Sequence, residues 1–203
     1  MEATPNSIDK AKAIFRDHGG LLRTSQAIKL GIHPRTLYEM RDAGVVDRLG
    51  RGVYRLAALP VLGDPDLAAV AANVPQGVVC LISALVLHEI TTQVPHEVYV
   101  ALRRGTTKPR LEYPPIRLFW FSDSAFKEGI MTQTKDDIPV RVYTPEKTLA
   151  DCFKYRNKIG IDIAVEAIRL YLQTKPLKVD ELLRFARVCR VERVMRPYLE
   201  ALI

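Results

Sequence analysis

A chain of 203 residues, 48% hydrophobic and 26% charged, carries enough apolar side chain for a packed core and so excludes wholesale disorder; it has room for one large domain or two small ones. Its 30 Lys and Arg against 23 Asp and Glu leave a net charge of +7, a lean toward an anionic partner: nucleic acid, an acidic protein or a membrane surface. Cys80, Cys152 and Cys189 stand far apart with no CxxC pair, which argues against a zinc site or a disulfide framework and for buried thiols in a reducing cytosol.

No basic segment precedes an apolar run at the start, and the longest apolar stretch, 78–87, is too short to span a bilayer. The expectation is a soluble, cytoplasmic protein. Asn6 or Ser7 can cap a first helix that buries Ile8, Ala11, Ile14 and Phe15. Gly19-Gly20 ends it, and Thr24 caps a second helix with Ala27, Ile28 and Leu30 on its apolar side. Gly31 suits the left-handed residue of a tight turn. Pro34 then opens a third helix that turns Leu37 and Met40 inward and closes at Gly44. Two β-prone runs around Gly50-Arg51-Gly52 predict a hairpin over 45–56. Three short helices followed by a basic hairpin is the order of a winged helix-turn-helix.

The stretch 57–64, with Pro60 and Gly63, reads as a linker. Beyond it the pattern predicts a helix over 66–73, a buried strand from Val78 running into a helix over 83–90, and strands over 97–102 and 116–121. A hairpin over 130–143 turns at Asp136-Asp137. Thr144 caps and Pro145 starts a helix whose inner face is Leu149, Cys152 and Phe153. Asp162 caps a further helix, and two more run over 180–189 and 191–202. The predicted class is α+β: a winged helix-turn-helix over 1–56, a linker over 57–64, and a larger mixed domain over 65–203.

In a helix-turn-helix the N-terminal part of the second helix of the motif points into the major groove. Here those side chains are His33, Arg35, Thr36, Tyr38 and Glu39, of which arginine can bond guanine twice and threonine can reach a base or a phosphate. The hairpin adds Arg48, Arg51 and Arg55 for phosphate or the minor groove, with Gly50 and Gly52 permitting close backbone approach. Residues 1–56 hold ten Lys and Arg against six Asp and Glu. A second basic feature repeats every third residue: Arg184, Arg187, Arg190, Arg193 and Arg196. At 3.6 residues per turn this spacing winds around a helix, and it splits in two if the helix breaks near Cys189. It suits DNA phosphate or an acidic protein, and equally a solvated face with Glu181 and Glu192 as partners.

Catalytic motifs are missing. His18, His33, His88 and His96 have no HExxH or comparable metal-ligand spacing, and there is no GxSxG and no phosphate-cradling glycine loop. Neither an enzyme, a metal nor a cofactor is expected.

The run from Ala27 to Leu56, with Gly31-Ile32-His33-Pro34-Arg35-Thr36-Leu37-Tyr38 and Gly50-Arg51-Gly52-Val53-Tyr54-Arg55-Leu56, resembles the N-terminal domain of the AbiEi antitoxins. Ser83-Ala84-Leu85 through His88, Pro95-His96-Glu97-Val98-Tyr99-Val100, and the stretch from Thr144-Pro145-Glu146-Lys147-Thr148-Leu149 to Arg156 resemble the same family in the same order. That resemblance implies an antitoxin of a type IV toxin–antitoxin pair of the abortive-infection, phage-defence kind. It implies an AbiEii-like nucleotidyltransferase toxin as functional partner, without need of a stable complex. It also implies repression of its own operon through double-stranded DNA upstream. The family supplies no agreed catalytic residues. Two other readings stay open: a stand-alone transcription factor whose C-terminal domain senses a ligand, and a nuclease using Glu97, which lacks the convergent carboxylates metal-dependent cleavage needs.

Overall fold

The computed structural model describes residues 6–111, 113–136 and 138–202, so Asp137 of the expected hairpin turn lies outside them. The chain divides into two compact units: residues 1–75 with 111–114 and 134–139, and residues 76–110, 115–133 and 140–203.

The first unit opens with α1 (Ser7–Asp17), β1 (Leu21–Arg23), α2 (Thr24–Lys29) and α3 (Pro34–Asp42), and continues through β2 (Val46–Gly50), β3 (Val53–Leu56) and α4 (Pro65–Asn73). The three strands form an antiparallel sheet in the order β1-β3-β2, so β1 pairs with the far side of the hairpin. Ala11, Phe15, Leu22, Ala27, Leu37 and Met40 build its core with Val46, Tyr54 and Leu56. Burying these side chains is the main force that holds six short elements together, since helices of six to eleven residues are not stable alone.

Several local expectations change. The helix α2 begins at Thr24, and Arg23 is the residue before it, its backbone N–H held by Gln26 Oε1 at 3.1 Å. Thr24 does not cap; its hydroxyl donates to Gly52 O at 3.3 Å. Ile28 is 46% exposed and Leu30 37%, leaving Ala27 as the inward residue of α2. A helix of under two turns has too narrow a buried face for all three. Gly31 takes φ +94°, the left-handed conformation expected of it.

The sequence placed a linker at 57–64 and the second domain from 65. In the structure α4 groups with the first unit. Leu62 and Ala68 cluster with Leu21, Leu49 and Ala71, and Arg23 Nε donates to Ala72 O at 2.5 Å.

The second unit is built on a five-stranded mixed sheet in the order β6-β5-β4-β8-β7, of which residues 134–139, at the ends of the last two strands, belong to the first unit. Its strands are β4 (Val78–Val79), β5 (Val98–Arg103), β6 (Ile116–Phe121), β7 (Ile130–Lys135) and β8 (Ile138–Tyr143). The pair β5–β6 is parallel from Val98↔Ile116 to Arg103↔Phe121, β4–β5 is antiparallel, and β4–β8 is parallel at Val79↔Val142. Its helices are α5 (Leu81–Leu87), α6 (Asp123–Lys127), α7 (Pro145–Lys154), α8 (Arg156–Ile159), α9 (Ile161–Thr174), α10 (Val179–Cys189) and α11 (Glu192–Leu202). Gly160, not Asp162, precedes α9. The short α6 and α8, like β1, carry too few periodic residues to be read from sequence.

The centre of this unit is α7, which packs against α5, α9, α10 and α11. Thr144 caps it through its hydroxyl and Pro145 is its first residue, as expected. The expected inner face is Leu149, Cys152 and Phe153, yet Glu146, Lys147, Thr148 and Asp151 are buried too. Each polar group is answered inside. Lys147 Nζ bonds Asp151 Oδ2 and sits 4.3 Å from the Tyr143 ring centroid and 4.9 Å from that of Phe121. The Cys189 thiol donates to Asp151 Oδ1 at 3.1 Å. Glu146 accepts from Tyr171 Oη at 3.0 Å and pairs with Lys178 at 3.5 Å. Burial pushes the Asp151 carboxyl above the usual carboxylate range, against the pull of Lys147. It also pushes all three thiols up, which disfavours the nucleophilic thiolate form.

Candidate nucleic-acid interface

The surface of α3 is set by its start. Pro34 occupies the first helical position, where a missing N–H costs nothing, and the His33 ring accepts from the Arg35 backbone N–H at 3.2 Å. His33 is therefore the cap that aims the helix, although its ring remains exposed. Two residues on, Arg35 projects with its side chain 83% exposed and holds Glu39 at 3.1 Å. Tyr38 is 46% exposed and lies under the Arg41 guanidinium, 5.2 Å from ring centroid to Cζ; Arg41 is tied in turn to Asp42 at 2.7 Å. Arg35, Tyr38 and Glu39 thus share the open side of α3, with Arg41 beside them. The sequence missed Arg41; its (i, i+3) spacing from Tyr38 was the available signal. Thr36 requires correction. It is only 9% exposed, on the side of α3 that carries Leu37 and Met40 into the core.

In the β2–β3 hairpin the register shifts between Arg48 and Gly50, a bulge that twists the arm. Arg51 is exposed in the turn, and Arg48 is exposed with Nε donating to Gly50 O at 3.1 Å. Arg55 also requires correction. It is 8% exposed because β3 is the central strand, and its guanidinium donates to Pro60 O at 2.6 Å. Strand alternation alone could not separate Arg55 from Arg48, since only the sheet order reveals which strand is flanked on both sides.

The two glycines of the hairpin have internal reasons. Gly52 adopts φ +69°, and its carbonyl accepts from Thr24 N at 2.8 Å and from the Thr24 hydroxyl, tying the turn to the start of α2. A Cβ on Gly50 would stand 2.8 Å from Asn73 Nδ2, so Gly50 makes room for α4.

The arginine series near the end of the chain is divided by the left-handed Arg190 (φ +60°), which separates α10 from α11. Arg184 pairs with Glu128 at 2.9 Å and Glu181 at 3.1 Å, while Arg187 and Arg196 share Glu192. Only Arg190 and Arg193 stand exposed with no carboxylate within ion-pair distance among the described residues. The continuous ridge read from the spacing is therefore two short, largely neutralised clusters.

A helix-turn-helix with a basic, glycine-turned β-hairpin behind it defines the first unit as a winged helix, the architecture of a large class of DNA-binding regulators. Within that class, residues 9–57 match the family described as "Transcriptional regulator, AbiEi antitoxin". No curated protein matches the chain significantly. Among solved structures, the RV2827C protein from Mycobacterium tuberculosis superposes with a TM-score of 0.53 at 11% identity, over 98% of this chain and 83% of that one. At that identity the likeness concerns the fold, which it extends to both units. No helix among the described residues is long and apolar enough to cross a membrane.

Proposed function

We propose that this protein is a non-enzymatic antitoxin that represses its own operon, binding duplex DNA upstream of it through the winged helix and countering a nucleotidyltransferase toxin encoded alongside. The observation that carries the reading is the pair of exposed basic elements, α3 and the β2–β3 hairpin, inside the segment matched to antitoxin regulators. Arg35 and Glu39 can address a guanine and its paired cytosine, and Tyr38 offers an apolar edge to a thymine methyl. Arg48 and Arg51 supply charge for phosphates at the flank. The antitoxic role is assigned to the second unit, in which α7 forms most of the Thr144–Arg156 stretch that resembles the family.

The test is growth. The adjacent reading frame is expressed alone, with this protein, and with its Arg35→Ala/Arg51→Ala variant. Toxicity rescued by both forms, with loss of promoter repression in the variant only, is the expected result and separates the two roles. A harmless neighbour, or toxicity that the protein leaves untouched, removes the antitoxin reading and leaves a plain winged-helix regulator.

A further inference from the structure

A cavity of about 500 Å³ opens in the first unit, at the foot of the helix-turn-helix, within the size range of small-molecule sites. Its walls are largely apolar, from Leu21, Leu22, Ala71, Ala72 and Ile138. Four residues with polar side chains line it: Arg23, His18, Ser25 and Gln26. His18 already has Nδ1 engaged with Ile14 O at 2.9 Å, which turns its Nε2 edge away from that bond.

Arg23 is the unusual member. It is half-buried, and its Nε is spent on Ala72 O. Neither terminal nitrogen has a hydrogen-bond partner among the described residues, and none of their carboxylates lies within ion-pair distance. With Nε held on the backbone, the orientation of the guanidinium is fixed while its two terminal nitrogens keep their donors for a ligand. Its planar fork matches a carboxylate in two parallel bonds.

We propose that this cavity binds a small organic monocarboxylate, its carboxylate on the Arg23 fork and its apolar body along Leu21, Ala71 and Ile138. Arg23 immediately precedes α2, which packs against α3, so an occupant touches the element that supports the candidate reading helix. The site therefore suits an effector of the regulator. It lies in the first unit, not in the C-terminal domain where sequence alone would look for ligand sensing.

Octanoate and its neutral analogue octanamide serve as probes, titrated into the full-length protein without DNA and followed by ¹H–¹⁵N NMR. Octanoate is expected to shift the Arg23 Nε–H and the Ser25 and Gln26 amides saturably, and octanamide to bind about tenfold or more weakly, the weight of one charge-assisted fork. Arg23→Gln should abolish the preference for the acid. Ala71→Leu, which leaves the charge and narrows the cavity, should weaken both probes. Equal binding of acid and amide, or an acid preference that survives Arg23→Gln, overturns the proposal. So does a titration in which random duplex DNA moves the Arg23 Nε–H and octanoate does not, since Arg23 is then a phosphate contact. Because the readout needs no operator and no toxin, it can fail while the antitoxin reading stands, and the reverse.

Discussion

Lys147 and Asp151 are both wholly buried, one turn apart on α7, and their charges are met by each other, the Cys189 thiol, two aromatic faces and, at Asp151, the charge of Lys154. Removing one partner strands the other in a medium that solvates it poorly. Lys147→Met should cost about 3–5 kcal/mol in urea unfolding, and Lys147→Met/Asp151→Leu should recover most of it. If the double variant is no better than the single one, the pair is not the source of the loss. His88 is a second buried polar group, with Nε2 2.6 Å from Tyr143 O. Burial holds its titration below the ordinary histidine range, with the Tyr143 carbonyl pulling the other way. The unfolded chain therefore takes the proton first as pH falls. The stability His88 contributes is complete above about pH 6.5 and is lost as the pH drops through that value toward the lower folded one. The thermal midpoint should decline between pH 7.5 and 5.5, and His88→Gln, which retains a donor, should flatten the decline. An unchanged slope would assign it to other groups.

At the scale of elements, the hairpin and α3 are asked to do different work. Arg51 sits in a turn braced by the Gly52 carbonyl's bonds to Thr24, which presents a charge without a base-reading geometry. Arg51→Ala should weaken DNA binding on every sequence and reduce the slope of log K against log salt by about one, since one phosphate contact releases about one counterion. Arg35 is held by Glu39, a positioned fork on an exposed helix face. Arg35→Ala should cost ~1–3 kcal/mol on the operator and relax preference at one base pair, with little change in the salt slope. Gel-shift titrations at several salt concentrations on operator and random duplex distinguish the two. Equal loss on both duplexes for Arg35→Ala would move it to the backbone.

For the whole molecule, the boundary between the units matters to any attempt to divide them. The helix α4 lies in the first unit, through the Leu62–Ala68 cluster, the Arg23–Ala72 bond and the space left by Gly50 for Asn73. A fragment ending at Pro75 should melt well above one ending at Leu56, because the shorter cut exposes Leu21 and Leu49. Coincident melting curves would show that α4 contributes nothing to the winged helix. The same boundary explains why the sequence placed its linker too early. Pro60 and Gly63 are loop residues, but the loop carries a further helix back onto the same unit, through the separate Leu62–Ala68 cluster.

What the sequence determined by itself was the local order of the first unit. Pro34, Gly31, the paired glycines around Arg51 and the 3.6-residue spacing of Leu37 and Met40 act over a few residues each, so the three helices and hairpin were legible. The resemblance to AbiEi antitoxins was legible for the same reason, being carried by contiguous motifs. The tertiary structure alone decided which polar residues face solvent. Arg55 is buried because β1 pairs with β3 from the far side, Thr36 because the apolar side of α3 is wider than two residues, and three arginines of the C-terminal series are neutralised by Glu128, Glu181 and Glu192. Lys147 and Asp151 could be buried only because four helices surround α7. Burial of a charge depends on partners distant in sequence, and no periodicity along one helix records them.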